Sequence, residues 1–530
     1  MAIKVAFIGA GSIGFTRLIM HDILAVPELR DTVFSFTDIN AQNLDTVAKL
    51  CRRDVKHNRL PAKVLATTDR RRALEGADYV LNVARVGGLE AFQLDIDIPL
   101  KYGVDQCVGD TICAGGLMYA QRSIPAMLDF CRDIREVATP GALFLNYANP
   151  MAMNTWACDE YGGVRVLGLC HGVEGGHRMI AKALDLPVEE VDIICAGINH
   201  QSWYIQVRHK GRDVTGEILE AFERHPVYSQ TEKLRIDLIR RFGYFTTESN
   251  GHVSEYLPWY RKRPKEIGKW IDLRDWIHGE TGGYLRVCIE GRNWFETEVP
   301  KWLAEDPPKL DELKRSHEHA SHIIESLETG RPYRGHFNFR NGATIANLPP
   351  DCIVEAPAYV DGNGISMPRV GELPMACAAT CSASVNVQRM GMEAAVHGDA
   401  NVLKLAMLHD PLVGAVCDPP EVWQMTDEML VAQAEWLPQY ADEVPKARKR
   451  LAAEKPLGVK TGKGAARLKV RTVAELRKDR AEAERLTAAD KAADASKAAS
   501  ASKAADASKA AHASKAAKTS TPTRRKRAKK

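Results

Sequence analysis

The chain has 530 residues, more than one hydrophobic core usually organises, so two or three domains are expected. Its 45% hydrophobic and 26% charged residues fit a globular protein and exclude collagen-like or wholly disordered classes. The net charge of +4 conceals a split, because residues 456–530 hold 21 Lys and Arg against 7 Asp and Glu, leaving an acidic body and a basic tail.

No run of about 18 apolar residues occurs, so no transmembrane helix and no membrane partner are expected. The N-terminus enters a short apolar run and glycines without the h-region of a signal peptide, which predicts a cytoplasmic protein. The 12 cysteines are scattered with no CxxC pair. That pattern predicts reduced thiols, any one of which is available as a ligand.

In chain order, apolar strand-like segments at 3–8, 33–37, 79–83, 143–146, 166–169 and 191–196 alternate with stretches long enough for crossover helices. The alternation predicts an α/β fold, with a Rossmann-like doubly wound parallel sheet over residues 1–196. Residues 197–455 mix helical windows at 214–224 and 386–408 with strand-like pieces near 352–360, as in a C-terminal α+β catalytic domain. Residues 456–530 read as a helical-to-disordered basic tail, in which 470–486 favours a solvated helix. Beyond residue 488 a six-residue repeat centred on Lys497, Lys503, Lys509 and Lys515 offers no apolar side chain for a core. Its charge suits nonspecific polyanion or nucleic-acid contact, or solubility alone.

The strongest local motif is Gly9-Ala-Gly11-Ser-Ile-Gly14, directly after the first strand-like segment and before a helix-compatible run. Here Gly9 permits the tight turn, Gly11 the approach of a pyrophosphate, and Gly14 helix-to-strand packing. Asp38 closes the second strand-like segment, where a carboxylate bonds ribose hydroxyls and repels a 2′-phosphate, favouring NAD over NADP.

Four further groups follow. Asn149, in Asn146-Tyr-Ala-Asn149-Pro150, stands after a strand where it can bond sugar hydroxyls or simply form a turn. Cys170 and His200 each follow an apolar strand, and a thiolate and an imidazole meeting at the ends of neighbouring strands bind a divalent metal. Buried Cys and hydrogen-bonded His are also ordinary core features. Asp110, just before Gly115-Gly116 in the 105–125 segment, suits an acid or a helix cap.

Together these motifs resemble glycoside hydrolase family 4, the NAD- and metal-dependent glycosidases, and most closely its α-galactosidase branch. The resemblance rests on FIGAGSIGFT, ADYVLN, GDT with its later GG and RSIP, NYANPMA, GLCHGV, GINH, FGYFTTESNGHVSEYLPWY, and VEAPAYVDGNGI with VGELP. It runs from residue 3 to about residue 400 and leaves out the tail. It implies redox-elimination: NAD takes a hydride from carbon 3 of the sugar, a base removes the proton on carbon 2, the aglycone leaves, water adds, and the hydride returns. Mn2+ or another divalent metal would stabilise the enolate as a Lewis acid.

By position the resemblance makes Cys170 and His200 the metal ligands, Asn149 a substrate-binding residue and Asp110 the acid. Tyr256 becomes the base, with Tyr244 and Tyr260 as rivals, and Arg286 a residue holding substrate or cofactor. It also implies a homo-oligomer. An α-galactosidase is the leading expectation, α-galacturonidase or α-glucosidase the alternatives with the same chemistry, and an NAD-dependent hydroxy-acid dehydrogenase the reading from another class.

Overall fold

The computed structural model describes residues 2–271, 279–460, 468–483 and 485. Two compact units divide the chain at Lys469 and Val470. In the second, residues 473–483 are helical, as expected, while the repeat centred on Lys497 to Lys515 and the terminal basic cluster lie outside the described residues.

Six strands form the parallel part of the large unit: β1 (Lys4–Ile8), β2 (Val33–Thr37), β3 (Lys63–Ala66), β4 (Tyr79–Asn82), β5 (Leu143–Asn146) and β6 (Arg165–Gly168). Their spatial order is β3-β2-β1-β4-β5-β6, the arrangement of a dinucleotide-binding sheet with its switch point between β1 and β4. β4 and β5 are buried at every position, as strands covered by helices on both faces must be. β3 was not among the expected strands, because after Lys63 its apolar run is only Val64-Leu65-Ala66, and Leu65 faces outward.

The sheet does not stop at β6. β7 (Val191–Ile198), β8 (Gln201–His209), β9 (Arg212–Asp213), β10 (Phe245–Thr246), β11 (Tyr333–Arg340), β12 (Ile353–Asp361) and β13 (Gly364–Ser366) extend it by antiparallel pairing. β7, expected to be the last parallel strand, belongs to this extension and runs through the 196/197 position. The reason is its two-residue turn, Asn199-His200, which leads straight into β8 where a parallel neighbour would need a crossover.

One row of residues crosses the junction. Asn338 on β11 pairs with Gly168 on β6 and with Glu355 on β12, and Glu355 pairs with Gly197 on β7. This register sets the ends of β6 and β7 level with each other although two strands separate them. The main core packs the first face of the sheet against helices Ile13–Leu24, Cys113–Val137 and Met375–His397, the second of which also anchors a separate cluster around Val80, Phe130 and Phe144. No helix among the described residues is long and apolar enough to cross a membrane.

Candidate functional site

The dinucleotide loop is built where expected. Gly9 has φ +83°, and a Cβ there would sit 2.6 Å from the Ala84 backbone, so the turn requires glycine on both counts. The Gly11 N–H donates to Asp38 Oδ2 at 2.8 Å, and a Cβ on Gly11 would press on that same oxygen. Asp38 is half-buried at the end of β2, so the loop and the carboxylate expected to select the ribose are one unit. Gly14 works differently from the expectation: a Cβ there would meet the Trp294 ring at 3.1 Å, so it accommodates a remote aromatic residue on the outer side of the helix. These features fit a dinucleotide, because the cradle is one that side chains would fill.

At the ends of β6 and β7, Cys170, His200 and Glu248 each offer a ligand atom, all within 4.8 Å of one another. Cys170 and His200 do come together, yet their strands are not neighbours; β11 and β12 lie between them and the shared register row aligns their ends. His200 is the second residue of the β7–β8 turn with φ +64°, and Glu248 follows β10 with φ +71°. Non-glycine residues held in the left-handed region mark a site whose surroundings overdetermine it. A Cβ on Gly172 would lie 2.2 Å from Glu248 Oε1, so that glycine makes room for the carboxylate.

The electrostatics suit a cation. Burial pushes the Cys170 thiol well above its ordinary range, and the Glu355 and Glu248 charges add to this. Burial lowers His200 to about 4, leaving a neutral imidazole with a free lone pair. A cysteine sulfur, a neutral imidazole and a carboxylate together make a borderline-soft donor set suited to a divalent ion.

Asp110 lies in a loop that rests on the Cys113–Val137 helix. Cβ atoms on Gly115 and Gly116 would clash with the Gly109 carbonyl at 2.3 Å and the Thr111 carbonyl carbon at 2.5 Å, so the glycine pair is what lets the loop lie flat. Its carboxylate accepts from Arg85 Nη2 at 2.9 Å, Thr111 Oγ1 at 3.0 Å and Asn149 Nδ2 at 3.3 Å. Asn149 and Asp110 thus share one site, and Arg85, stacked against Phe92 and Tyr119, is a member that the sequence reading missed.

Tyr256 is buried, donates to the Asn199 carbonyl at 3.3 Å and lies edge-on to His252. Burial pushes its phenol well up, so a base role requires a counteracting cation. Tyr260 is committed to Asp237 at 2.8 Å. Arg286 is buried between Glu280, at 2.8 Å, and Glu290, at 3.2 Å. Glu248 was not among the expected residues; it stands in the Thr-Glu-Ser stretch of the same motif that holds Tyr244, Tyr256 and Tyr260.

Below the site, Glu355 accepts from Ser202 at 2.9 Å and Asn338 at 3.1 Å, yet burial raises it from 4.5 to about 7. A carboxyl whose folded pKa is raised destabilises the fold increasingly as pH rises from about 4.5 to about 7, and by a constant amount above that. Metal-free protein is therefore expected to lose on the order of 3 kcal/mol between pH 4 and pH 8 through this group. Glu355→Gln should remove that part of the slope; equal pH-dependence of Tm in both proteins, measured calorimetrically in chelator, would refute it.

A doubly wound dinucleotide-binding type of sheet, extended to a buried thiol, imidazole and carboxylate cluster, fits the class of enzymes that bind a dinucleotide and has a candidate site for a divalent cation. Comparison with known families narrows the class. The family described as Family 4 glycosyl hydrolase matches residues 4–186, and its C-terminal domain matches residues 195–413. An alpha-galactosidase of Rhizobium meliloti (strain 1021) is 61% identical over 487 residues, covering 92% of this chain and 99% of the relative. An alpha-galactosidase of Bacillus subtilis (strain 168) is 32% identical, covering 82% and 99%. Among solved structures, the 6-phospho-beta glucosidase from Thermotoga maritima with NAD and glucose-6-phosphate is similar with a TM-score of 0.68 and 26% identity, covering 82% and 99%. The same enzyme in a form with manganese, NAD+ and glucose-6-phosphate gives 0.67 and 25%, with the same coverage. The chain belongs to the family 4 glycosyl hydrolases.

Proposed function

We propose that this enzyme is an α-galactosidase that works by redox-elimination with NAD and Mn2+ or another divalent metal. The relatives named above support the sugar and the cofactors. The observation that carries a neutral sugar is that, among the described residues, the arginines around the Asp110 loop are each paired with a carboxylate. Arg85 pairs with Asp110 at 2.9 Å, Arg122 with Asp95 at 2.6 Å, Arg261 with Asp105 at 3.2 Å and Arg286 with Glu280 at 2.8 Å. A sugar phosphate or a uronate needs a cation that is not already neutralised. A neutral hexoside does not.

In this reading Cys170, His200 and Glu248 hold the metal, and the Gly9–Gly14 loop with Asp38 holds the dinucleotide. Bound NAD would supply a reversible hydride acceptor there, and a bound cation would supply a Lewis acid for the oxygens beside carbon 2 of the sugar. Asn149 orients sugar hydroxyls beside Asp110, whose carboxylate relays a proton from water to the departing glycosidic oxygen. Tyr256 takes the proton from carbon 2. Arg286 acts through its carboxylate partners to hold the shape of the pocket.

The test is hydrolysis of nitrophenyl α-galactoside in D2O by reduced enzyme, with NAD and Mn2+ each present or withheld. Cleavage is expected to need both, to accumulate no NADH, and to yield galactose carrying deuterium at carbon 2. Cleavage without either cofactor, or galactose free of deuterium, would point to direct displacement.

A further inference from the structure

The hydrogen bonds behind the metal ligand close on themselves. His200 Nδ1 lies 2.8 Å from His252 Nε2, and His252 Nδ1 lies 2.8 Å from Glu255 Oε2. The other Glu255 oxygen accepts three backbone N–H groups, from Cys107 at 2.8 Å, Val108 at 2.8 Å and Gly109 at 3.1 Å. Those residues lead directly into Asp110 and Thr111, and Thr111 Oγ1 returns to His200 Nδ1 at 3.2 Å while donating to Asp110. Glu255 and His252 are both buried, on the helix Asn250–Tyr256.

We propose that Glu255, acting through His252, is a positioning residue that fixes the His200 tautomer for metal binding and at the same time holds the Asp110 loop against the metal site. Glu248 Oε1 faces His200 Nε2 at 3.8 Å, so Nε2 is the nitrogen turned toward the cluster. A ligand at Nε2 must carry its proton on Nδ1, and the nearer acceptor there is His252 Nε2, with Thr111 Oγ1 the farther one. His252 then carries its own proton on Nδ1, and only an acceptor such as the Glu255 carboxylate favours that form. Because the same carboxylate binds three consecutive amides of the loop, the metal ligand and Asp110 cannot shift independently. The inference rests on the metal site proposed above.

The experiment titrates the full-length chain with Mn2+ and reads free Mn2+ by electron paramagnetic resonance, with calorimetric NAD binding as the check that each variant is folded. His252→Phe is expected to weaken Mn2+ binding about 10- to 100-fold. His252→Gln, whose Oε1 can replace Nε2 as acceptor, should recover most of that loss. Glu255→Gln should weaken Mn2+ binding as His252→Phe does and lose more turnover at saturating Mn2+, because it also releases the loop. Mn2+ affinity in His252→Phe within twofold of the unsubstituted chain, or no recovery in His252→Gln, would overturn the relay. Equal turnover loss in Glu255→Gln and His252→Phe would overturn the loop half. If Glu255→Gln no longer binds NAD, the two His252 variants still decide the tautomer half. Absence of Mn2+ binding by the unsubstituted chain would instead bring down the metal site itself.

Discussion

Cys170→Ser is expected to abolish measurable Mn2+ binding and to lower kcat/KM for α-galactosides at least ~10³-fold, about 4 kcal/mol of transition-state stabilisation. Serine keeps the size of the side chain but not its chemistry, since a hydroxyl does not ionise at neutral pH and a thiol beside a divalent cation does. The loss should be almost as large at high Mn2+, because the remaining His200 and Glu248 leave the ion with one imidazole and one carboxylate. Direct Mn2+ titration together with rates at saturating metal checks this. Turnover within tenfold of the unsubstituted enzyme would remove Cys170 from the metal site.

The second large effect concerns Asp110. Asp110→Ala is expected to slow cleavage of a galactoside with a sugar aglycone by about 10²–10⁴-fold, the usual range for a missing general acid. With a dinitrophenyl aglycone, which leaves without protonation, the loss should shrink to a small factor. The donors that converge on this carboxylate, Arg85, Thr111 and Asn149, also give it an orienting role. Steady-state rates on the two aglycones separate the roles, since a purely orienting carboxylate would cost the same factor with either.

Much of the cofactor half was legible from local signals. The glycine turn, the buried strand before it and the carboxylate after the second strand all lie within the first 38 residues, and each reports its own backbone environment. Parts of the candidate site were legible in the same way, since Asn149, Cys170 and His200 each follow a strand. Arg286 shows the limit of this reading. Its motif suggests a ligand contact; Glu280 and Glu290 hold it in place, and helical spacing predicts only the second of these two partners.

The sequence by itself determined the dinucleotide-binding sheet, the carboxylate of Asp38 closing its second strand, and the strand-end positions of Cys170 and His200, because those depend on turns, strand ends and residue chemistry a few positions apart. Only the tertiary structure decided that β7 turns back antiparallel, that β11 and β12 enter between β6 and β7, and that Glu248 joins Cys170 and His200. It alone also joined Arg85 to Asp110, and Glu255 to both His252 and the loop before Asp110. The reason is strand register. A pairing such as Gly168 with Asn338 or Glu355 with Gly197 joins residues more than 150 positions apart, is set by how whole faces bury against the core, and leaves no mark on the spacing of the residues it brings together.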